Sequence, residues 1–248
     1  MTTTLEGIEV LFFDVFGTVV DWRSSVVREL TDLGASLSLS YSDSDWEEFT
    51  LEWRRAYLTA TKRVGNGSGT ANLNVDEMNR ENLDKMLSSE RWAQLREKLS
   101  PEQTAHLNLV WRRLHGWPDS VEGLERLEQK VIIVALSNGN VRLLTEMAKF
   151  AGLPWNVIFS AGLFDSYKPD PLVYQRAMKH LSVKPENCAM VAAHDWDIIA
   201  AAKQGMKTVY VHRPEEGDVP EVTVRTKQDG GDADFIVHSF LELADLLK

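Results

Sequence analysis

One cysteine, no long apolar run and a shortage of basic residues set the first limits on this 248-residue chain. Cys188 on its own cannot form an internal disulfide, and its neighbourhood, CAMVAA, reads as buried core rather than as the surroundings of a nucleophile. No stretch approaches the ~18 consecutive apolar residues of a membrane span. The opening residues, MTTTLEGIEV, lack a basic segment followed by an apolar one, so the expectation is a cytoplasmic protein with no membrane partner. Lys and Arg number 27 against 37 Asp and Glu, giving a net charge of -10. That balance argues against nucleic acid as the main partner, because duplex binding relies on basic side chains that neutralise phosphates. Any anion site must be local. Internal repeats and low-complexity tracts are also missing. What remains, 44% hydrophobic and 26% charged, is the composition of an ordinary enzyme with room for one large domain or two unequal ones.

Six short apolar runs read as buried strands: Val10 to Phe13, Val131 to Leu136, Val157 to Phe159, Cys188 to Ala193, Thr208 to Val211 and Phe235 to Val237. Helical patterns separate them over the second half, which predicts an α/β fold with a Rossmann-like parallel sheet covered by helices. The interval from about Trp22 to Trp111 breaks the rhythm. Trp46, Phe49, Trp53, Tyr57 and Leu58, then Met78, Leu83, Met86 and Leu87, then Leu95 and Leu99, fall at helical spacing with no convincing strand between them. It reads as a helical insertion, with Gly65 to Ala71 a flexible connection inside it and Pro101 starting a further helix. The expected division is a core of residues 1–20 and 112–248 and an inserted helical unit of 21–111. Glu215 to Asp234, polar and containing Gly217, Gly230 and Gly231, reads as a surface loop rather than a functional segment.

In an open parallel sheet, ligands bind outside the carboxyl ends of the strands. Applying that rule collects Asp14 with Thr18, Ser137 with Asn138, Lys168, and His194 with Asp195 and Asp197. Each has a plain structural reading as well. Asp14 in VLFFDVFGT caps a turn after a core strand, and Gly17 eases that turn. Ser137 and Asn138 read as helix-capping residues or as an anion cradle at a helix start. Lys168, in YKPDP, reads as a solvated side chain held out of a helix by Pro169 and Pro171. Asp195 or Asp197 in VAAHDWD caps the next helix equally well. Taken together and in this order, the clusters converge on one crevice.

In that order the chain resembles the haloacid dehalogenase superfamily over essentially its whole length, with Trp22 to Trp111 in the place of the family's helical cap. Most of that superfamily are magnesium-dependent phosphatases whose first motif is DxDxT. The second Asp of that motif is their general acid and base, and here Phe16 stands in its position. An acidic magnesium ligand four positions before the acidic residue matched by Asp197 falls on Ala193, which offers no oxygen to a hard cation. Both changes point away from phosphatase chemistry. The nearer resemblance is to the metal-free L-2-haloacid dehalogenase branch, through DVFGTVVD at the first motif, the pair Trp53 and Arg54 in the cap, and Lys168 with Tyr174 in the KPxxxxY pattern. The final motif is AAHDWD where the best-known members have SSNxWD, so Ala192 and His194 replace a serine and an asparagine.

The resemblance implies Asp14 as nucleophile at an sp³ carbon, with no metal or cofactor and a small-molecule carboxylate as substrate. Halide leaves as a stable anion and needs no acid, which is why Phe16 is tolerated. The other catalytic expectations are Lys168 keeping Asp14 ionised, Arg54 receiving the halide, and Asp197 or His194 activating water. Thr18, Phe16, Ser137, Asn138, Tyr174 and Trp196 complete the substrate site, with Leu58 beside them. His194 also has a purely structural reading, as a histidine hydrogen-bonded to Asp195 or Asp197. Two rival readings stand. Metal-free cis-epoxysuccinate hydrolases share the cap arginine, the lysine and a histidine in the last motif, and a non-catalytic carboxylate- or partner-binding protein would also fit the altered final motif. Relatives of this kind are often dimers, and apolar-rich cap helices permit a homodimer without requiring one.

Overall fold

The fold, a computed structural model, describes residues 5–65, 74–214, 216 and 224–247. Its centre is a six-stranded, wholly parallel sheet. The strands in chain order are β1 (Val10–Phe13), β4 (Ile132–Ser137), β5 (Val157–Ser160), β6 (Cys188–Ala192), β7 (Lys207–Val211) and β8 (Phe235–Val237). In space they run β5-β4-β1-β6-β7-β8. The α/β architecture expected from the apolar runs is therefore present.

The four residues of β1 show why a short apolar run becomes a central strand. Side chains alternate across a sheet, so Leu11 and Phe13 enter one core and Val10 and Phe12 the other. On the first face Phe13 meets Phe240 edge-on, with ring centroids 5.3 Å apart, and also contacts Trp155. On the second face lie Val173, Tyr174, Ala177 and Ile198. Both faces being apolar, every residue of the strand is buried. The helices that cover the sheet are α6 (Ser120–Glu128), α7 (Val141–Ala151), α8 (Pro171–His180), α9 (Asp195–Ala202) and α10 (Phe240–Leu246).

A two-stranded antiparallel ribbon, β2 (Val20–Asp21) with β3 (His115–Gly116), was not expected from the sequence. Two residues per strand are too few to leave a period-2 pattern. Between its strands lie α1 (Trp22–Ser36), α2 (Asp43–Gly65), α3 (Val75–Leu87), α4 (Ala93–Lys98) and α5 (Pro101–Asn108). Pro101 occupies the first turn of α5, behind a reciprocal capping pair of Ser100 and Gln103. The connection expected at Gly65 to Ala71 lies, beyond Gly65, outside the described residues. On α2, Trp46, Phe49, Trp53 and Tyr57 line the buried side. The Trp53 indole N–H donates to the Asn79 carbonyl at 3.0 Å, and its ring meets Trp111 edge-on. Trp53 is thus an anchor of the helix, and Arg54, one residue and about 100° further round, is left to face the sheet's crevice.

No described helix is long and apolar enough to cross a membrane.

Candidate active site

The strand order places β1 between β4 and β6, so the chain changes direction of growth at β1 and a crevice opens beyond its carboxyl end. Asp14 is the first residue past β1, and its backbone N–H still donates to Val191 of β6. Its carboxylate is almost wholly buried yet accepts from three side chains. Lys168 Nζ donates to Oδ1 at 2.8 Å, Thr18 Oγ1 donates to Oδ2 at 2.8 Å, and His194 Nδ1 lies 3.0 Å from Oδ2. Burial alone would raise its pKa. The Lys168 charge and the His194 hydrogen bond outweigh that and hold the carboxyl well below the usual carboxylate range.

Lys168 is itself buried and bridges two acids, donating to Asp197 Oδ2 at 2.5 Å as well. Burial disfavours its charge, but Asp14 and Asp197 more than compensate, and its pKa is raised. A single ammonium serves both carboxylates. Asp14 has two further donors, whereas Asp197, fully buried, has among the described residues only the Tyr174 hydroxyl at 2.5 Å besides. Burial and the nearby Asp14 charge therefore push the Asp197 pKa upward. Burial and Asp197 likewise push the Tyr174 hydroxyl far up, keeping it a donor. The lysine loop is clamped by Asn138, whose Oδ1 accepts from the Lys168 N–H at 2.7 Å while its Nδ2 donates to the Lys168 carbonyl at 3.1 Å.

A cavity of about 420 Å³ opens onto this cluster. Of the residues expected from the sequence, Asp14, Phe16, Arg54, Leu58, Ser137, Asn138, Lys168, His194 and Trp196 line it. The Arg54 guanidinium lies 5.5, 5.2 and 5.1 Å from the ring centroids of Phe16, Trp22 and Tyr57. Among the described residues no ion pair or hydrogen bond is formed by Arg54. A cation in an aromatic cage without a counter-anion is a ready receiver for one. Trp196 is 39% exposed at the rim, with its ring 5.7 Å from Lys168 Nζ and tilted against the His194 ring. A second groove, about 480 Å³, touches the cluster only through Asn138 and holds none of its titratable groups.

Five expectations need correction. Thr18 does not reach the cavity. Its hydroxyl proton goes to Asp14 and its oxygen accepts the Ala193 N–H at 2.9 Å, so it fixes the carboxylate rather than a ligand. Tyr174 is fully buried behind Asp197, and Asp197 has both oxygens engaged and no face on the cavity. The side chain of Asn138 is spent on the lysine loop, which leaves its backbone for a ligand. Finally, the segment from Glu215 onward is not merely a surface loop. The Glu216 side chain is buried, lines the cavity and lies 3.4 Å from His194 Nε2. Residues 215 and 217–223 lie outside the described chain.

Glu216 was missed because the strand-end rule was applied to four strand ends and not to β7, after which it comes. Trp22, Arg23, Arg55 and Tyr57 also line the cavity. Tyr57 was legible from its helical register with Trp53. Neither arginine carries a sequence signal that separates it from a solvated one.

His194 sits just before α9 and makes no capping bond with its side chain, which turns instead to Asp14. Burial lowers its pKa, but the hydrogen bond to Asp14 and the Glu216 carboxylate raise it to about 9. A histidine raised from 6.5 in this way contributes stability that is full below about pH 6.5 and is lost as pH rises through about 9. The contribution is on the order of 3 kcal/mol at most. Denaturant unfolding is expected to show a fall in stability from pH 6.5 to 9.5, and His194→Gln should flatten that fall.

The described residues contain no group of three or more His, Cys, Asp or Glu arranged to hold a metal ion. A buried carboxylate at a strand end, a lysine bonded to it and a cavity opening between sheet and helices are the arrangement of a class of hydrolase, and the sequence comparison agrees. The family profile of haloacid dehalogenase-like hydrolases matches residues 8–205, and the chain belongs to that family. Within it, the chain is similar to (S)-2-haloacid dehalogenase 4A of Burkholderia cepacia, at 30% identity over 222 residues, 88% of this chain and 87% of the relative. A crystal structure of an L-2-haloacid dehalogenase superposes with a TM-score of 0.83 at 32% identity, covering 97% of this chain and 100% of that one. A defluorinating L-2-haloacid dehalogenase gives 0.83 at 33% identity, covering 97% and 95%.

Proposed function

We propose that this chain is a metal-independent (S)-2-haloacid dehalogenase that works through an ester on Asp14. The observation that carries the reading is the pairing in one cavity of a carboxylate held ionised by Lys168 with an arginine caged by three aromatic rings that makes no ion pair among the described residues. An Asp14 oxygen attacks C2 of the substrate, the carbon–halogen bond breaks, and the halide leaves with the electron pair. Arg54 receives it with a fixed fork of donors. Phe16, Trp22 and Tyr57 around the guanidinium exclude water and lower the local dielectric, which strengthens that capture. The Ser137 hydroxyl and the Asn138 backbone bind the substrate carboxylate. The Ser137 oxygen accepts from the Gly139 N–H at 3.2 Å, so its own proton is free to donate.

In this reading residues 21–111 act as the cap over a core of 1–20 and 112–248. Water then attacks the ester carbonyl, carbon is untouched in the second step, and the net result is inversion, L-2-halocarboxylate to D-2-hydroxycarboxylate. Asp197, walled off from the cavity, acts through Lys168 rather than on water itself.

Epoxide opening is the second reading, and the imidazolium of His194 favours it. An epoxide leaves an alkoxide that needs a proton, and His194 carries one 3.0 Å from the nucleophile. Halide and diol formation measured on (S)- and (R)-2-chloropropionate, fluoroacetate and cis-epoxysuccinate separate the readings. Halide from the (S)-acid only, with D-lactate as product, is expected. Diol without halide overturns it in favour of epoxide hydrolysis, and neither product leaves a binding protein.

A further inference from the structure

One imidazole on the cavity wall stands between two buried carboxylates. His194 Nδ1 faces Asp14 Oδ2 at 3.0 Å, and Nε2 faces Glu216 Oε2 at 3.4 Å. The turn after β1 leaves room for Glu216 there. Gly17 has φ of +82°, and a Cβ built on it would lie 2.3 Å from Glu216 Oε2, so the carboxylate rests where any side chain at residue 17 would stand. A buried carboxylate needs a charged partner, and His194 supplies it. Among the described residues, the other charged or titratable groups around this pair are Lys168 on the far side of Asp14, Asp195 and Asp197 following on α9, the Tyr210 hydroxyl near Glu216, and Arg23, Arg54 and Arg55 on the cavity wall.

We propose that Glu216 is a positioning residue that makes His194 change role within one catalytic cycle, donating to Asp14 while the nucleophile is free and serving as general base once Asp14 is esterified. The proposal rests on the ester mechanism above. In the free enzyme both ring nitrogens are protonated, each facing an anion. Esterification removes the Asp14 charge, while Lys168 stays in place. The Nδ1 proton then faces a neutral ester with an ammonium behind it and passes to solvent. The Nε2 proton remains directed at Glu216, which fixes the tautomer and leaves the Nδ1 lone pair aimed at the ester, as an orienting carboxylate does for a catalytic histidine. His194 Nδ1 takes a proton from water as the water oxygen bonds to the Asp14 carbonyl carbon. The bond from that carbon to the alkyl oxygen breaks, and the leaving alkoxide takes the proton back from Nδ1. Asp14 is left as the free acid, and its proton passes to the neighbouring Nδ1, which restores the carboxylate and the imidazolium with no uptake from solvent. The sum is haloacid plus water to hydroxyacid, halide and one proton.

The test that needs no turnover is an NMR titration of the His194 ring in the full-length protein and in Asp14→Asn, where the amide stands in for the neutral ester. The midpoint in Asp14→Asn is expected at least about one pH unit lower, a tenfold change in proton affinity, and lower again with Glu216→Gln added. Equal midpoints in the wild type and Asp14→Asn would overturn the switch. In rapid-mixing experiments with (S)-2-chloropropionate, Glu216→Gln should release one equivalent of halide in a burst and then turn over about tenfold more slowly or worse, with the ester on Asp14 detected by peptide mass spectrometry. Turnover at the wild-type rate with no trapped ester would remove Glu216 from the mechanism. Should that variant not fold, ester decay in the wild type is followed across pH. Its midpoint must lie below the His194 midpoint of the free enzyme, and coincidence of the two defeats the proposal. Failure of the wild type to release any halide strikes the dehalogenase reading instead, and the titration still decides the switch.

Discussion

Asp14→Asn is expected to lower halide release by on the order of 10⁴-fold or more while leaving a cooperatively folded protein. The amide keeps the size of the side chain and an oxygen for Lys168 Nζ, but it is no nucleophile toward carbon. Lys168 keeps its second partner, Asp197, at 2.5 Å, so no buried ammonium is left alone. The residue that changes most is His194, which loses its anion on Nδ1 and keeps only Glu216. The companion measurement uses the unaltered enzyme. In a single turnover in ¹⁸O-water with enzyme in excess, the hydroxyacid should carry an unlabelled new oxygen, donated by Asp14, and the label should appear in the Asp14 carboxylate. Labelled product in the first turnover would mean that water attacks the substrate directly and that Asp14 is not esterified.

The fold was readable because burial imposes composition on the strands. β1 is buried on both faces, so its apolar run has no interruption, and Asp14 marks its end by being the first residue that the core cannot absorb. The same rule gathers Ser137, Lys168 and His194 from the sequence alone, since the carboxyl ends of parallel strands share one rim. Hydrogen-bond assignments inside the cluster were not readable. Thr18 and Asn138 are polar residues near Asp14 in sequence or in space, but whether such a residue faces a ligand or braces a neighbour depends on which donors and acceptors remain free after packing. Thr18 is exhausted by Asp14 and Ala193, and Asn138 by both ends of the Lys168 peptide. Glu216 escaped for a different reason. A polar stretch looks the same whether it runs through solvent or folds one carboxylate back over a glycine, and only the missing Cβ of Gly17 records the approach. Even there, DxFGT was read as needing glycine for the turn, when the room it leaves is also occupied.

Lys168→Met should be the most damaging substitution to both activity and stability. Among the described residues the ammonium is the only cation in contact with Asp197 and one of two on Asp14, and it is buried between them. Methionine fills much of the same volume without charge. Two carboxylates are then left in the interior, with Thr18 and His194 on one and Tyr174 on the other. Breaking a buried ion pair in this way costs about 3–5 kcal/mol. The pH dependence gives the effect a signature. In the intact protein the lowered Asp14 pKa contributes stability that is present above the ordinary carboxylate value and lost as pH falls toward the folded-state value. The raised Lys168 pKa contributes stability that is full below about pH 10.4 and lost above it. The variant loses the lysine's share of both, and acid relieves it, because protonating one of the two carboxylates removes their repulsion. Denaturant unfolding should show the deficit largest near pH 7.5 and smaller near pH 5, the reverse of what a simple packing defect gives. Turnover should fall by at least about 10³-fold, since Asp14 is then less readily held as an anion and the water that hydrolyses its ester loses a charge to orient it. Lysine's compact charge matters here, and Lys168→Arg should not restore activity, because a planar guanidinium does not fit between oxygens that approach a single nitrogen at 2.8 and 2.5 Å.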